Sequence, residues 1–356
     1  MLFRLHRPTR EDVIAAYRAL LNRDPESNSV IEAHRSAGTL ETVLRSIKSS
    51  EEYKVKEKNH PFFNYTSTFD AIEIIRRHGA ANVTTDPSYL TNYLGVRVSP
   101  SVCPAMLQGR AGEIEPPPIP GNWHADIAEF AAVLRSVELA KETFTMAELG
   151  CGWGCWMNNA GTAAKRLGLK VSLMGIEGDK GHIAFATELL SVNGFLPEEV
   201  KIFWGISAAE RGLALFPRQA LAGSSWGLKP IFNADAETRA KALEAGTHDE
   251  LPMIPLSDLM DTERPKLDLL HIDIQGGEAD LVHNSLDLIG NRVRYMVIGT
   301  HSRDIEGRLF AELIAAEWHL EIERPAILHL NDVPNVVIDG VQGWRNRSLL
   351  PDAAGS

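Results

Sequence analysis

The sequence predicts an α/β protein, an open sheet with helices on both faces, preceded by a small all-α module. Three observations carry that prediction. Residues 144–154 are a short apolar run ending in Glu148 and the alternating Gly150, Gly152 and Gly154, and 155–167 then has the composition of a helix. This is how a strand hands over to a ligand-cradling turn, because glycine takes positive φ and helix-start amides face the ligand. Two more apolar runs, 171–176 and 267–272, are each followed by an acid and a glycine. Over 9–53, by contrast, apolar residues recur at helical spacing: Val13, Ile14, Tyr17, Leu20 and Leu21, then Leu40, Val43, Leu44 and Ile47.

The front of the chain reads as at least two amphipathic helices. Breakers over 22–28 separate them, and Thr9 with Asp12 forms a capping box. Residues 54–60 are charged, 69–78 suit a helix, and the proline-rich 115–121 must be extended. The expected division is therefore a helical module over 1–58, a linker and substrate-side wall over 59–120, and the α/β domain over 121–350. A long insertion, 208–253, containing Trp226 and His248, is expected to act as a lid or substrate wall. Strands over 318–323 and 333–339 are expected to close the sheet, with 339–346 as a final loop.

The glycine turn suits a nucleotide-like ligand. A dinucleotide fingerprint would place its third glycine at 155, where this chain has Cys155, yet an NAD-dependent oxidoreductase remains the enzymatic alternative. Glu177 ends the second strand, where a carboxylate can accept both hydroxyls of an adenosine ribose; the competing reading is a solvated acid in a Glu-Gly-Asp turn. Asp179 is a second cofactor-side candidate and equally a cap for a helix over 180–192.

Glu148 through Gly154 resembles motif I of the class I S-adenosylmethionine (SAM) methyltransferases, E-x-G-x-G-x-G. That resemblance implies a Rossmann-like, seven-stranded sheet, with Glu148 near the methionine ammonium and Gly150, Gly152 and Gly154 under methionine and ribose. Residues 267–278, Leu-Asp-Leu-Leu-His-Ile-Asp-Ile-Gln-Gly-Gly-Glu, resemble the signature of FkbM-type methyltransferases, which transfer the SAM methyl group to hydroxyls, commonly of sugars or polyketide-like products. Segments 200–207, 254–259 and 293–301 resemble that family's further strands, so the likeness covers about 120–345. It implies SAM as cofactor and a saccharide or other small hydroxylated acceptor. Residues 16–25 with 49–53 resemble a DUF4214-type helical module, often attached to glycan-processing enzymes, which implies a glycan-assembly partner; simple docking on the catalytic domain is the competing reading.

Methyl transfer from a sulfonium needs the acceptor oxygen positioned and its proton removed. Asp273, at the end of the fourth strand, is the first choice for that base or for holding a cation. His271 lies two residues back on the same strand face, and His301 closes the fifth strand with an imidazole able to take a proton near neutral pH. Trp123 and His124, before a helix introduced by Asp126, are candidates to contact the acceptor. Some SAM O-methyltransferases bind magnesium through acids on the fourth and fifth strands. Here Asp273 offers one oxygen while Thr300 and His301 replace the second acid, leaving the cage incomplete unless Glu278 contributes.

Composition narrows the partners. Lys plus Arg total 36 against 47 Asp plus Glu, a formal charge of −11, which argues against nucleic acid. Cys103, Cys151 and Cys155 lack zinc-type spacing and read as reduced packing residues. No apolar run reaches the ~18 residues of a membrane span, and the expectation is a cytoplasmic enzyme. A non-catalytic glycan-assembly protein with a vestigial SAM fold is the third reading.

Overall fold

The computed structural model describes residues 7–21, 23–58, 60–221, 223–260 and 265–351; Asn22, the first expected breaker, lies outside them. The chain divides into two compact units, Met1–Asn64 and Tyr65–Ser356.

The first unit contains helices Arg10–Leu21, Asn28–Ser36, Leu40–Ser49 and Glu51–Lys58. The Thr9–Asp12 capping box forms: the Thr9 amide donates to Asp12 Oδ2 at 2.8 Å and the Asp12 amide to Thr9 Oγ1 at 3.1 Å. Val13, Tyr17, Leu21, Ile31, Val43 and Ile47 interlock as its core, the stripe that the helical spacing dictates.

The second unit is built on β1 (Thr143–Leu149), β2 (Lys170–Glu177), β3 (Val200–Trp204), β4 (Leu269–Ile272), β5 (Tyr295–Thr300), β6 (Trp318–Arg324) and β7 (Gly340–Asn346). With the two-residue edge strand Thr66–Ser67 outside β6, they lie in the order edge-β6-β7-β5-β4-β1-β2-β3. β1 to β5 pair in parallel, and β7 runs antiparallel to both β5 and β6. This is the class I methyltransferase sheet. The NAD-binding alternative is overturned here, since its sheet lacks a reversed strand between the fifth and sixth. Apolar faces of β1, β4 and β5 (Ala147, Leu149, Ile272, Met296, Ile298) meet Leu281, Leu309 and Trp344 in the core.

Two expectations change. Asn335–Ile338 pairs with Ile327–His329 in a separate hairpin. The sheet is closed instead by Gly340–Asn346, expected as a loop. Its polar residues hide the strand: Arg345 donates to Glu321 at 2.6 Å, Asn346 to the Val293 carbonyl at 2.9 Å, and Trp344 to Gln342 at 3.1 Å. From Tyr65 onward, the segment expected as linker and wall belongs to the second unit. Asn92 donates to Asn159 at 2.7 Å and Arg77 to Glu138 at 2.6 Å, so the segment is tied to α1 (Ile127–Leu139) and α2 (Cys155–Arg166).

The insertion is not a bare loop. Strands Ile206–Ala208, His248–Pro255 and Gly212–Pro217 make a three-stranded sheet, with helix Ala236–Glu244 beside it.

Candidate active site

Strands β1, β2 and β4 end on one side of the sheet, beside a cavity of about 890 Å³. Gly150, Gly152 and Gly154 turn the chain with φ of 73°, 52° and 73°. A Cβ on Gly150 would stand 2.0 Å from the Asp273 carbonyl oxygen, so glycine is what lets β1 leave the sheet past the end of β4. A Cβ on Gly152 would meet Trp226 at 2.8 Å, because the insertion lays that indole over the turn and stacks it on His182 at 4.4 Å. Ser225, Trp226, Lys229 and Phe232 of the insertion line the cavity together with the glycine turn.

The cofactor-side acids are tied to backbone amides. Glu148 accepts from the Trp156 and Met157 amides at 3.1 and 2.9 Å, capping α2 from the strand that precedes it. Burial pushes its carboxyl up to about 7. Glu177 accepts from Gly152 and Asp179 amides, both at 2.8 Å, one on each oxygen. Each oxygen keeps a second acceptor position, and Glu177 lines the cavity. Asp179 is fully engaged: it caps α3 (Lys180–Val192) through the Gly181 and His182 amides at 2.8 and 3.0 Å. It also holds the insertion through the Gly223 amide at 2.8 Å and Gln219 at 2.9 Å. It is absent from the cavity lining, so the structure places it at the helix start and the insertion's anchor.

Beyond the cradle, β4 delivers His271 and Asp273 to the cavity wall. Buried His271 meets Glu129 of α1 at 3.0 Å, and Trp156 donates to the same oxygen at 3.2 Å. Burial disfavours charge on both partners; for Glu129 it prevails and raises the carboxyl, while for His271 the Glu129 carboxylate outweighs it and raises the imidazole. Glu129 also lines the cavity, and the sequence offers no sign of it, since it reads as an ordinary first-turn acid of α1. Asp273 accepts from Gln275 at 3.1 Å and lies 3.3 Å from His301. Burial alone would raise its carboxyl, but His301 holds it below the usual aspartate value. His301 stands behind Asp273, off the cavity wall. Although burial opposes its charge, contacts with Asp273 and Glu278 raise the imidazole to about 10. Thus His301 carries its proton at neutral pH, contrary to the ordinary pKa assumed in assigning it the role of base. Thr300 donates to Glu306 at 3.1 Å and points away from this group.

Trp123 and His124 join an aromatic cluster rather than presenting a free edge. Trp123 stacks on Trp153 at 5.9 Å and stays off the cavity lining. His124, which does line the cavity, packs among Trp153, Trp156 and Phe130 with its Nδ1 3.4 Å from Cys155 Sγ. Burial lowers its imidazole to about 3, which keeps it neutral.

A curated protein from Jannaschia sp. (strain CCS1), named "Putative methyltransferase", is 45% identical over 276 residues, 77% of this chain and 98% of that protein. The chain belongs to this methyltransferase family. No family model matches it. Solved structures similar to the methyltransferase include FkbM from Methylobacillus flagellatus KT, with 11% identity and a TM-score of 0.38 over 93% of this chain and 58% of that one. Another is the N-terminal domain of human METTL16 in complex with SAH, with 12% identity and a TM-score of 0.35 over 63% and 72%.

The methyltransferase's cavity residues fit SAM. Gly150 and Gly152 line the cavity floor, with the Trp226 indole over Gly152, Glu177 offers two free acceptor positions at the end of β2, and the cavity volume exceeds what a nucleoside with an amino-acid arm needs. Among the described residues no helix is long and apolar enough to cross a membrane.

Proposed function

We propose that this methyltransferase transfers the SAM methyl group to a hydroxyl of a saccharide or related small hydroxylated acceptor. The observation that carries the reading is the Asp273 carboxylate. It is ionised at neutral pH, faces the cavity, and adjoins the Gly150 end of the cofactor cradle. SAM supplies a methyl group already activated on a sulfonium. The chain's own residues then have to hold the acceptor oxygen in line and accept its proton. Asp273 accepts the hydroxyl hydrogen bond and takes the proton as the oxygen becomes alkylated. His301, behind it, stabilises the carboxylate in the orientation that faces the cavity. Glu129 and His271 form the adjoining polar wall, behind which the buried His271 Nδ1 has no partner. Glu177 binds the ribose hydroxyls, and Glu148 fixes the first turn of α2 over the methionine end.

A saccharide class is supported by the half-exposed aromatic faces of Trp226 and Phe232 among Lys229, Asn233 and Asp280 on the same cavity wall. Flat apolar faces with flanking donors and acceptors suit the CH faces and hydroxyls of a sugar ring. The helical first unit is proposed to dock a glycan-assembly partner, on its resemblance alone; deleting 1–58 should then leave transfer to a free acceptor intact while abolishing co-purification with that machinery.

The test is incubation with radiolabelled SAM and extracted cell glycans, followed by identification of the labelled product. Label on a sugar hydroxyl is expected. Label on nitrogen, or on RNA, would overturn the acceptor class. Failure of SAM to bind would favour the non-catalytic reading.

A further inference from the structure

We propose that Asp273, Glu278 and His301 form a binding site for one divalent transition-metal cation behind the acceptor wall. The three come from the end of β4, the first residue of α4 (Glu278–Asn284) and the residue after β5, and one ligand-type atom from each lies within 4.8 Å of the others. Proximity alone would not distinguish a metal site from an imidazolium clamped between acids. The unpaired atoms do.

Glu278 is wholly buried. Its Oε1 accepts from the Ile274 and Gly276 amides at 3.1 and 2.9 Å, whereas its Oε2 has no hydrogen-bond partner. The His301 side chain is only 10% exposed, and neither ring nitrogen makes a hydrogen bond, although Nδ1 lies 2.9 Å from Glu278 and Nε2 3.3 Å from Asp273. The carboxylates are near the nitrogens but off the N–H direction. Buried polar atoms are almost always paired, and a carboxylate oxygen and two ring nitrogens without partners within one three-residue cluster call for a missing one. One cation takes a carboxylate oxygen and a single ring nitrogen along its in-plane lone pair, and the other ring nitrogen then keeps its proton toward the neighbouring carboxylate.

The backbone is also bent to make this arrangement. Gln275 and Gly276 both have positive φ, 61° and 117°, and that turn aims the two amides at Glu278 Oε1. A non-glycine residue held there is strained, and such strain persists where the surroundings fix it. The result fastens Glu278 Oε1, the oxygen 2.9 Å from His301 Nδ1, and leaves Oε2 without a partner.

The donor set selects the cation. Two carboxylates and one neutral imidazole balance a divalent charge, and an imidazole ligand suits cobalt or zinc better than magnesium or calcium, which prefer oxygen alone. The incomplete magnesium cage of the sequence thus becomes a mixed oxygen–nitrogen site. Bound there, the cation would hold Asp273 from behind and leave its cavity-facing side to the acceptor. That consequence rests on the proposed O-methyl transfer; the binding itself does not.

The full chain, stripped with EDTA and desalted, should be titrated with cobalt(II) and followed by visible absorption, with manganese(II) followed by electron paramagnetic resonance. One saturating equivalent with d–d bands of a nitrogen–oxygen site is expected. Glu278→Gln and His301→Ala should each weaken it at least about tenfold, while SAM affinity by calorimetry stays unchanged, which also shows that both variants fold. Absence of saturable cobalt and manganese binding, or unaltered binding in both variants, overturns the site. Cobalt binding without SAM binding would keep the site and sink the methyl-transfer reading; SAM binding without cobalt binding removes the site alone.

Discussion

The cofactor side and the acceptor side of the cavity are both built from acids at strand ends, yet they are finished differently. Glu148, Glu177 and Asp179 each hold backbone amides on their oxygens, so the acids of that half are satisfied by the chain itself, although His182 Nε2 beside them has no partner. Across the cavity, His271, Glu278 and His301 carry buried polar atoms with no partner, and Asp273 rests on a side-chain amide and an imidazole. A self-satisfied site is preorganised and should tolerate few changes of shape. An unsatisfied one spends stability on groups that wait for something to bind. The difference assigns shape to the cradle and chemistry to the β4–β5 edge.

Changing shape on the cradle side should give the largest effect. Gly150→Ala places a methyl group 2.0 Å from the Asp273 backbone carbonyl, just past the paired ends of β1 and β4, which cannot draw apart without disturbing the sheet. SAM binding should be lost and the melting temperature should fall by several degrees. Gly152→Ala meets only the rim of Trp226, a side chain that can swing aside, so it should retain fold while weakening SAM. Equal behaviour of the two variants in calorimetry and thermal melts would break the account of the turn.

Changing charge on the acceptor side should leave shape alone. Asp273→Asn keeps volume and a hydrogen-bonding side chain but removes the basic oxygen. Turnover should fall by about a hundredfold, the lower scale for a lost general base, with SAM affinity preserved. Normal turnover in this variant would move the proton acceptance to the Glu129–His271 pair.

A third change probes whether Glu177 belongs to both ligand and fold. Glu177→Ala removes the ribose acceptor and also frees the Gly152 and Asp179 amides. SAM affinity should fall by roughly 1.5–3 kcal/mol, as for hydrogen bonds to a charged group. A loss seen only in the acceptor's KM would contradict the ribose assignment.

The same contrast explains what the sequence made legible. The cradle is local: β1, its glycines and Glu177 lie within one βαβ unit, and their spacing reflects one turn and one crossover. The chemistry is long-range. Glu129 enters from the preceding helix, and Glu278 reaches His301 only because α4 starts with a bent turn. Trp226 arrives from an insertion whose anchor, Asp179, looks like a plain helix cap. Gly340–Asn346 escaped notice for a related reason. Arg345 and Asn346 are satisfied by Glu321 and Val293, over twenty positions away, so period-two alternation is masked, and Gly343 is required where a Cβ would strike Ile322 at 2.6 Å.

The smallest expected effect concerns pH, and it asks whether the closed half is wholly at rest. Glu148 is buried, and its carboxyl is pushed from 4.5 up to about 7. The folded state therefore binds more protons than the unfolded chain between those values. The stability contributed by Glu148 is fullest below about 4.5 and is lost as pH rises through 7, the opposite of a salt-bridged acid. Glu148→Gln cannot ionise, so it should flatten that decline by on the order of 1 kcal/mol between pH 5 and 8, after allowance for local relaxation. Its overall melting temperature should drop modestly, because the amide can accept from only one of the Trp156 and Met157 amides. Melting curves of both proteins at pH 5, 6.5 and 8 measure the slope directly. Parallel curves would mean that Glu148 stays ionised throughout, held by the two α2 amides against its burial.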